Sequence, residues 1–67
     1  MISLTVNGKQ RHLAAAIPLT RFLAENGIDT RLIAVAVNGE VVRKADYASV
    51  TLQDGDVVEI VRMVGGG

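Results

Sequence analysis

The chain has 67 residues and no Cys; seven Lys and Arg balance seven Asp and Glu, and 49% of the residues are hydrophobic but only 3% aromatic. This length allows one domain with an aliphatic core. A net charge of zero disfavours nucleic-acid binding. The lack of Cys excludes disulfides and Cys-ligated metals and favours the reducing cytoplasm, and no apolar run is long enough to cross a membrane.

The N-terminal segment is predicted to form a β-hairpin. From Ile2 to Val6, apolar and polar residues alternate, as is typical of a strand with one buried face. Asn7-Gly8 is a preferred dipeptide of type I′ turns, because both central residues of that turn have positive φ. Lys9 to Leu13 is more polar and is expected to return as an edge strand.

A short helix is predicted after a connector over residues 14–17. Pro18 suits a first helical turn, where a missing N–H is tolerated. Leu19, Phe22 and Leu23 recur at helical spacing, and Gly27 fits the left-handed position just beyond a helix. Because a helix of two to three turns is not stable alone in water, we expect it to pack on a sheet.

Three more strands are predicted in the second half of the chain. Ile33 to Val37 alternates, Val41 and Val42 form a short strand, and the last strand runs from Val57 to Arg62 with Val58 and Ile60 facing inward. The turn signals between them are Asn38-Gly39 and Asp54-Gly55-Asp56. Residues 43–49 are expected to be a polar connection.

This order of elements predicts an α+β fold. A hairpin, a crossover helix and further strands favour one mixed sheet of four to five strands, with the helix packed across one face. The β-grasp, or ubiquitin-like, arrangement fits that order. We expect residues 1–62 to form this domain and residues 63–67 to form a flexible Gly-rich tail.

The chain ends on Gly65-Gly66-Gly67, and this tail is the main candidate for chemistry. Residues without a Cβ can enter a narrow channel of a partner enzyme. Extended at about 3.3–3.6 Å per residue, Met63 to Gly67 would reach roughly 17 Å. The group at the tip is the α-carboxylate, an anion at neutral pH that must be activated before a nucleophile can attack it. A frayed end without function is the alternative.

A second candidate is a surface for partner binding. Ala34 and Ala36 alternate with the inward residues of their strand, and Val61 and Met63 do the same beside the tail. A flat, mildly apolar sheet face suits docking against another protein. Scattered apolar surface residues are the alternative interpretation.

Other polar residues are not predicted to form a catalytic or metal site. His12, the single His, has no acid–base partner by spacing and is expected at the surface. The Asp54-Gly55-Asp56 segment lacks the later ligands of a calcium loop and is expected to be a turn. The acidic residues Asp29, Glu40 and Asp46 lie in separate loops. Tyr47 is expected to cover the edge of the core with its hydroxyl in water.

The sequence resembles the ThiS family, the ubiquitin-like sulfur carriers of thiamine thiazole synthesis. The segments that carry the resemblance are Ile33-Ala-Val-Ala-Val-Asn-Gly-Glu-Val-Val42, Asp54-Gly-Asp-Val-Val-Glu-Ile-Val61 and Val64-Gly-Gly-Gly67. The N-terminal strand and turn and the helix also lie where the family has them. The resemblance covers essentially the whole chain.

This resemblance implies a protein that is modified as a substrate and is not itself an enzyme. Gly67 would be adenylated by a separate ThiF-like enzyme that uses ATP, and a cysteine-derived persulfide protein would then convert the carboxylate to a thiocarboxylate. The sulfur would pass to a ThiG-like thiazole synthase. Val64, Gly65 and Gly66 would be recognised as the tail, and the chain itself would bind no cofactor or metal.

Two alternatives stay open at the level of the sequence. One is the sulfur carrier of molybdopterin synthesis, the small subunit of molybdopterin synthase, although those chains tend to be longer and richer in aromatic residues near the tail. The other is a ubiquitin-like binding module without chemistry. Enzyme activity of the chain itself is disfavoured, because no nucleophile–base pair is predicted.

Overall fold

Seven strands and one α-helix follow one another along residues 1–63, the part of the chain that the computed structural model describes. They are β1 (Ile2–Val6), β2 (Lys9–Leu13), β3 (Ile17–Pro18), α1 (Leu19–Glu25), β4 (Ile33–Val37), β5 (Glu40–Val42), β6 (Thr51–Leu52) and β7 (Val57–Arg62). Two 3₁₀ helices lie at Thr30–Leu32 and Lys44–Ser49.

A five-stranded mixed sheet with the order β2-β1-β7-β4-β5 forms the body of the domain. Strands β1 and β7 are parallel, and the other neighbours are antiparallel. The two Asn-Gly turns have the predicted positive φ angles at both residues. The predicted hairpin, the predicted helix and the mixed sheet of four to five strands are confirmed.

The predicted connector before the helix was wrong in part. Ile17 and Pro18 form a short strand that pairs with Leu52 and Thr51. Pro18 is the N-cap of the helix, with extended backbone angles (φ −60°, ψ 141°), and therefore precedes the first helical turn. The polar connection after β5 is also more regular than predicted, because most of it is 3₁₀ helix.

The core lies between the sheet and α1. Three helix residues, Leu19, Phe22 and Leu23, are buried at the spacing predicted for them. The other buried residues are Leu4, Ile33, Val35, Tyr47, Leu52 and Val58. Tyr47 is 4% exposed and belongs to the core itself, where it had been expected only at the edge. Its burial raises the pKa of the phenol.

Candidate functional site

The strand that leads into the predicted tail is held in the middle of the sheet. β7 lies between β1 and β4, and it pairs with β4 from Val58 to Arg62. One residue further, the N–H of Met63 still donates to the carbonyl of Leu32 at 2.8 Å. The sheet therefore fixes the backbone up to Met63. Val64, Gly65, Gly66 and Gly67 lie outside the described residues.

The first Asn-Gly turn extends the pairing of β7 where β1 ends. The side-chain Oδ1 of Asn7 accepts from the N–H of Ile60 at 2.7 Å, and its Nδ2 donates to the carbonyl of the same residue at 3.2 Å. The side-chain amide thus replaces a peptide group of a neighbouring strand. Asn7 has a φ of 49°, a left-handed conformation that Asn tolerates better than most residues.

The second Asn-Gly turn does the same on the other side of β7. Asn38 has a φ of 52°, its Oδ1 accepts from the N–H of Val57 at 2.9 Å, and its Nδ2 donates to Asp56 Oδ1 at 3.0 Å. Two equivalent turns therefore hold β7 from both edges. The repeated Val-Asn-Gly segment is the only sequence signal for these hydrogen bonds to β7. The residue types do not predict them, because they depend on which strands become neighbours.

The sheet face opposite the helix, which we call the open face, has an apolar half over β7, β4 and β5. We define this apolar half as Ala34, Ala36, Val41, Val61 and Met63, placed together by register and alternation. The two Ala are half-buried, whereas Val61 is 60% and Met63 51% exposed. The four residues predicted as a partner-binding face therefore lie on the open face. Whether they bind a partner stays a prediction.

Val41 is a member of the apolar half that the sequence analysis did not include. It pairs with Ala36 and is 77% exposed. A register of β5 against β4 is needed to predict that the Val41 side chain lies on the open face, and the short strand alone does not provide it. A shallow depression of about 170 Å³ lies here, lined by Ala34, Val35, Ala36, Val41, Glu59 and Val61.

The other half of the open face is polar and contains a pair that the sequence analysis missed. We define this polar half as Ser3, Thr5, Gln10 and His12, which face one another across β1 and β2. Ser3 Oγ and His12 Nδ1 are 2.9 Å apart. Spacing along the sequence did not predict this hydrogen bond, because cross-strand register brings together residues nine positions apart. His12 is exposed, as predicted, and Ser3 is half-buried.

The Asp54-Gly55-Asp56 segment is a turn, as predicted. Asp54 Oδ1 accepts from the N–H of Ser3 at 2.8 Å, and Asp56 Oδ2 accepts from the N–H of Gln53 at 2.8 Å. Gly55 has a φ of 86°, which only a residue without a Cβ adopts easily. The two carboxylates thus bind backbone N–H groups of β1 and of the turn itself.

The end of the sheet from which the tail leaves carries an ion pair. Arg31 donates to both carboxylate oxygens of Asp29, at 3.1 and 2.8 Å, and its backbone N–H donates to Oδ1 at 2.9 Å. The hydrogen bonds from the Arg31 side chain and backbone lower the pKa of Asp29 to about 2. Asp29 therefore caps the 3₁₀ helix that leads into β4.

Residues 1–63 contain neither a cluster of metal-ligating side chains nor a helix suited to a membrane. No group of three or more His, Asp or Glu side chains in that range is arranged so that it could hold a metal ion. None of the helices formed by the same residues has the length and apolar character needed to cross a membrane.

The chain matches the family model described as "ThiS family" over residues 4–67. It is 42% identical over 66 residues, 98% of its length, to a protein of Paramagnetospirillum magneticum named thiazole synthase, of which it covers 20%. It is also 42% identical over 45 residues to the sulfur carrier protein ThiS of Bacillus subtilis, covering 67% of this chain and 68% of that protein. The chain spans about a fifth of the thiazole synthases that it matches.

The fold has a close counterpart among solved structures. A crystal structure of the thiamine biosynthesis protein ThiS from Geobacter metallireducens superposes with a TM-score of 0.88 at 33% identity, covering 98% of this chain and all of that one. The superposition confirms the β-grasp architecture predicted from the order of elements. Since the family model covers nearly the whole sequence and the fold agrees, the chain belongs to the ThiS family.

Proposed function

We propose that this chain is a sulfur carrier of thiamine biosynthesis. The observation that carries the proposal is the match to the ThiS family over residues 4–67, a range that includes the terminal glycines. The likeness to the sulfur carrier protein ThiS of Bacillus subtilis supports the same function. The chain acts as a substrate of other enzymes, in the cytoplasm, and binds no cofactor of its own.

The chemistry takes place at the carboxylate of Gly67. A carboxylate oxygen attacks the α-phosphorus of ATP in the active site of a ThiF-like enzyme, and pyrophosphate leaves. The terminal sulfur of a protein persulfide then attacks the acyl carbon and displaces AMP, which gives an acyl disulfide. A thiol then attacks the donor cysteine's own sulfur in that acyl disulfide, forms a new disulfide with that cysteine, and releases the thiocarboxylate.

The fold supports this chemistry by separating a rigid body from the reacting group. Pairing with β4 and the side chains of Asn7 and Asn38 fix β7 up to the residue before the tail. Val64, Gly65 and Gly66 connect that fixed strand to Gly67 and are the residues that a partner channel would recognise. We place partner docking on the apolar half of the open face, which adjoins the end of β7.

Thiazole synthase is the partner that receives the sulfur. Relatives that bear that name contain a segment similar to this chain within a protein about five times as long. Carrier and synthase thus occur joined in one chain, which is expected of domains that work on each other. The activating enzyme and the persulfide donor are proposed because the chain belongs to the ThiS family.

Intact-protein mass spectrometry of the chain isolated from its host tests the function. We expect a fraction of molecules with one oxygen replaced by sulfur, and fragmentation should locate this change at Gly67. A variant without Gly66 and Gly67 is the control and should never gain sulfur. If the wild-type mass stays that of the carboxylate after ATP, activating enzyme and sulfur donor are supplied, the proposal is wrong. A binding module would then be the remaining interpretation, with partner affinity unchanged by the deletion.

A further inference from the structure

Glu59 is the one charged residue in the lining of the depression on the apolar half of the open face. It pairs in register with Ala36, and it lies two residues before Val61 on β7, so both side chains are on the open face. Its side chain is exposed. The two ion pairs within residues 1–63 are Arg21–Glu25 and Arg31–Asp29, so no cation of the described part of the chain pairs with Glu59.

At this position the carboxylate strongly affects the free energy of binding of any partner that covers the depression. A partner that covers Ala36, Val41 and Val61 removes water from the apolar side chains, which favours binding. The same partner removes water from Glu59, and a carboxylate that loses its water without gaining a cation or hydrogen-bond donors opposes binding strongly. An apolar partner surface alone therefore fits this half of the face badly.

We infer that the docking partner places an apolar side chain in the depression and an Arg or Lys beside it, over Glu59. The inference rests on the proposed function and commits to thiazole synthase as the partner, because relatives with that name contain a segment similar to this chain. About 170 Å³ is room for one aliphatic or aromatic side chain. Glu59 then selects the partner, since a surface with an acidic or purely apolar contact is rejected.

Replacements of Glu59 separate this inference from a merely apolar contact. Calorimetric titration into the thiazole synthase of the same organism is the measurement. We expect Glu59→Gln to weaken binding about tenfold, and Glu59→Leu and Glu59→Lys to weaken it on the order of a hundredfold or more, because the partner's cation is left unpaired or repelled. If Glu59→Leu binds more tightly than the wild type, the contact is apolar and the inference is wrong.

Glu40 supplies the matched control. It is an exposed Glu on the neighbouring edge strand, and it pairs with Val37, so its side chain alternates to the other face of the sheet. Glu40→Leu and Glu40→Lys should leave the affinity within about twofold of the wild type. Thermal unfolding of all variants verifies that they fold. If the Glu59 and Glu40 variants bind alike, Glu59 lies outside the interface and the inference is overturned.

Salt gives an independent readout. The wild-type affinity should fall as NaCl is raised from low to high concentration, and Glu59→Gln should show a flatter dependence, since one charge pair is missing. An equal salt dependence contradicts the inference.

The mass-spectrometric test of Gly67 distinguishes failure of this inference from failure of the proposed function. A thiocarboxylate on the wild type together with Glu59 variants that bind normally, or with no binding to the synthase at all, overturns the inference and leaves the carrier function standing. Absence of the thiocarboxylate overturns the function itself.

Discussion

The two faces of the sheet are built from the same strands and have opposite properties. On β4 and β7, Val35 and Val58 are buried against the helix, whereas Val61 on the open face is 60% exposed. Because side chains alternate along a strand, neighbouring residues can serve stability and recognition separately. The comparison therefore predicts that substitutions on one face change folding, and that substitutions on the other change binding.

The largest effect on folding is expected from Phe22, the largest fully buried side chain among the described residues. Phe22→Ala should lower the free energy of unfolding by about 3–5 kcal/mol, from lost apolar burial and the cavity left behind. A domain of this size has little stability to lose. Urea denaturation followed by circular dichroism measures the change.

Phe22→Leu is the control for this prediction and should keep most of the stability, because it leaves a smaller cavity. A loss below about 1 kcal/mol for Phe22→Ala would contradict the assignment of this face as the core.

Substitution of Asn7 is expected to have the next largest effect on folding. Its side chain connects the end of β1 to β7, two strands that are far apart in sequence. Asn7→Gly keeps the positive φ but removes the two hydrogen bonds to Ile60, and it should cost about 1–2 kcal/mol. Asn7→Ala removes the same hydrogen bonds but keeps a Cβ in the left-handed conformation, which Ala tolerates less well than Asn, and should cost about 1 kcal/mol more than Asn7→Gly. Denaturant midpoints of the two variants separate the hydrogen bonds from the backbone conformation.

If Asn7→Gly is as stable as the wild type, the side-chain amide does not hold β7. Amide hydrogen exchange provides a second measurement, because the Ile60 N–H, which now donates to Asn7 Oδ1, should lose protection in both variants.

The parts of the fold that alternation and turn dipeptides encode were predictable from the sequence. The hairpin, β4 and β7 have period-2 patterns, and the helix has Leu19, Phe22 and Leu23 at helical spacing. The pair β3–β6 was not predictable, since strands of two residues have no period and exist only because Ile17 and Leu52 meet in three dimensions. Register explains the other omissions, which are the pairs of Ser3 with His12, Val41 with Ala36, and Glu59 with Ala36.

The candidate site divides in the same way. The position of Ala34, Ala36 and Val61 on the open face followed from the sequence, because strand alternation is a local feature. The tail glycines lie outside the described residues, and their role stays a prediction. The hydrogen bonds of Asn7 and Asn38 to β7 did not, because they depend on a parallel and an antiparallel neighbour at once.

A smaller effect is expected at the ion pair beside the end of β7, outside both faces. The pKa of Asp29 is lowered to about 2 in the folded protein, from an ordinary value of 3.8. Its contribution to stability is therefore complete above about pH 4 and is lost as the pH falls towards 2. Because the pair is exposed, the contribution is small. Unfolding measured between pH 2 and 6 should show a shallower acid decline for Asp29→Asn than for the wild type.

Arg31→Gln is the matched variant, because it removes the hydrogen-bonding cation and leaves the carboxylate in place. It should shift the acid transition in the same direction as Asp29→Asn. A decline identical in all three proteins would show that this carboxylate titrates at its ordinary pKa and that the pair is not populated in solution.

The smallest effect on folding, and the sharpest contrast between the faces, is expected at Val61. Val61→Asp should lower the free energy of unfolding by no more than about 1 kcal/mol, because the side chain is mostly exposed. It should nevertheless weaken binding to thiazole synthase strongly, since it adds a second carboxylate to an apolar contact beside Glu59. Gln10→Asp makes the same charge change in the polar half of the open face and should leave binding unchanged. If both variants bind thiazole synthase as tightly as the wild type, the whole open face is free of partners. Recognition then rests on the tail alone.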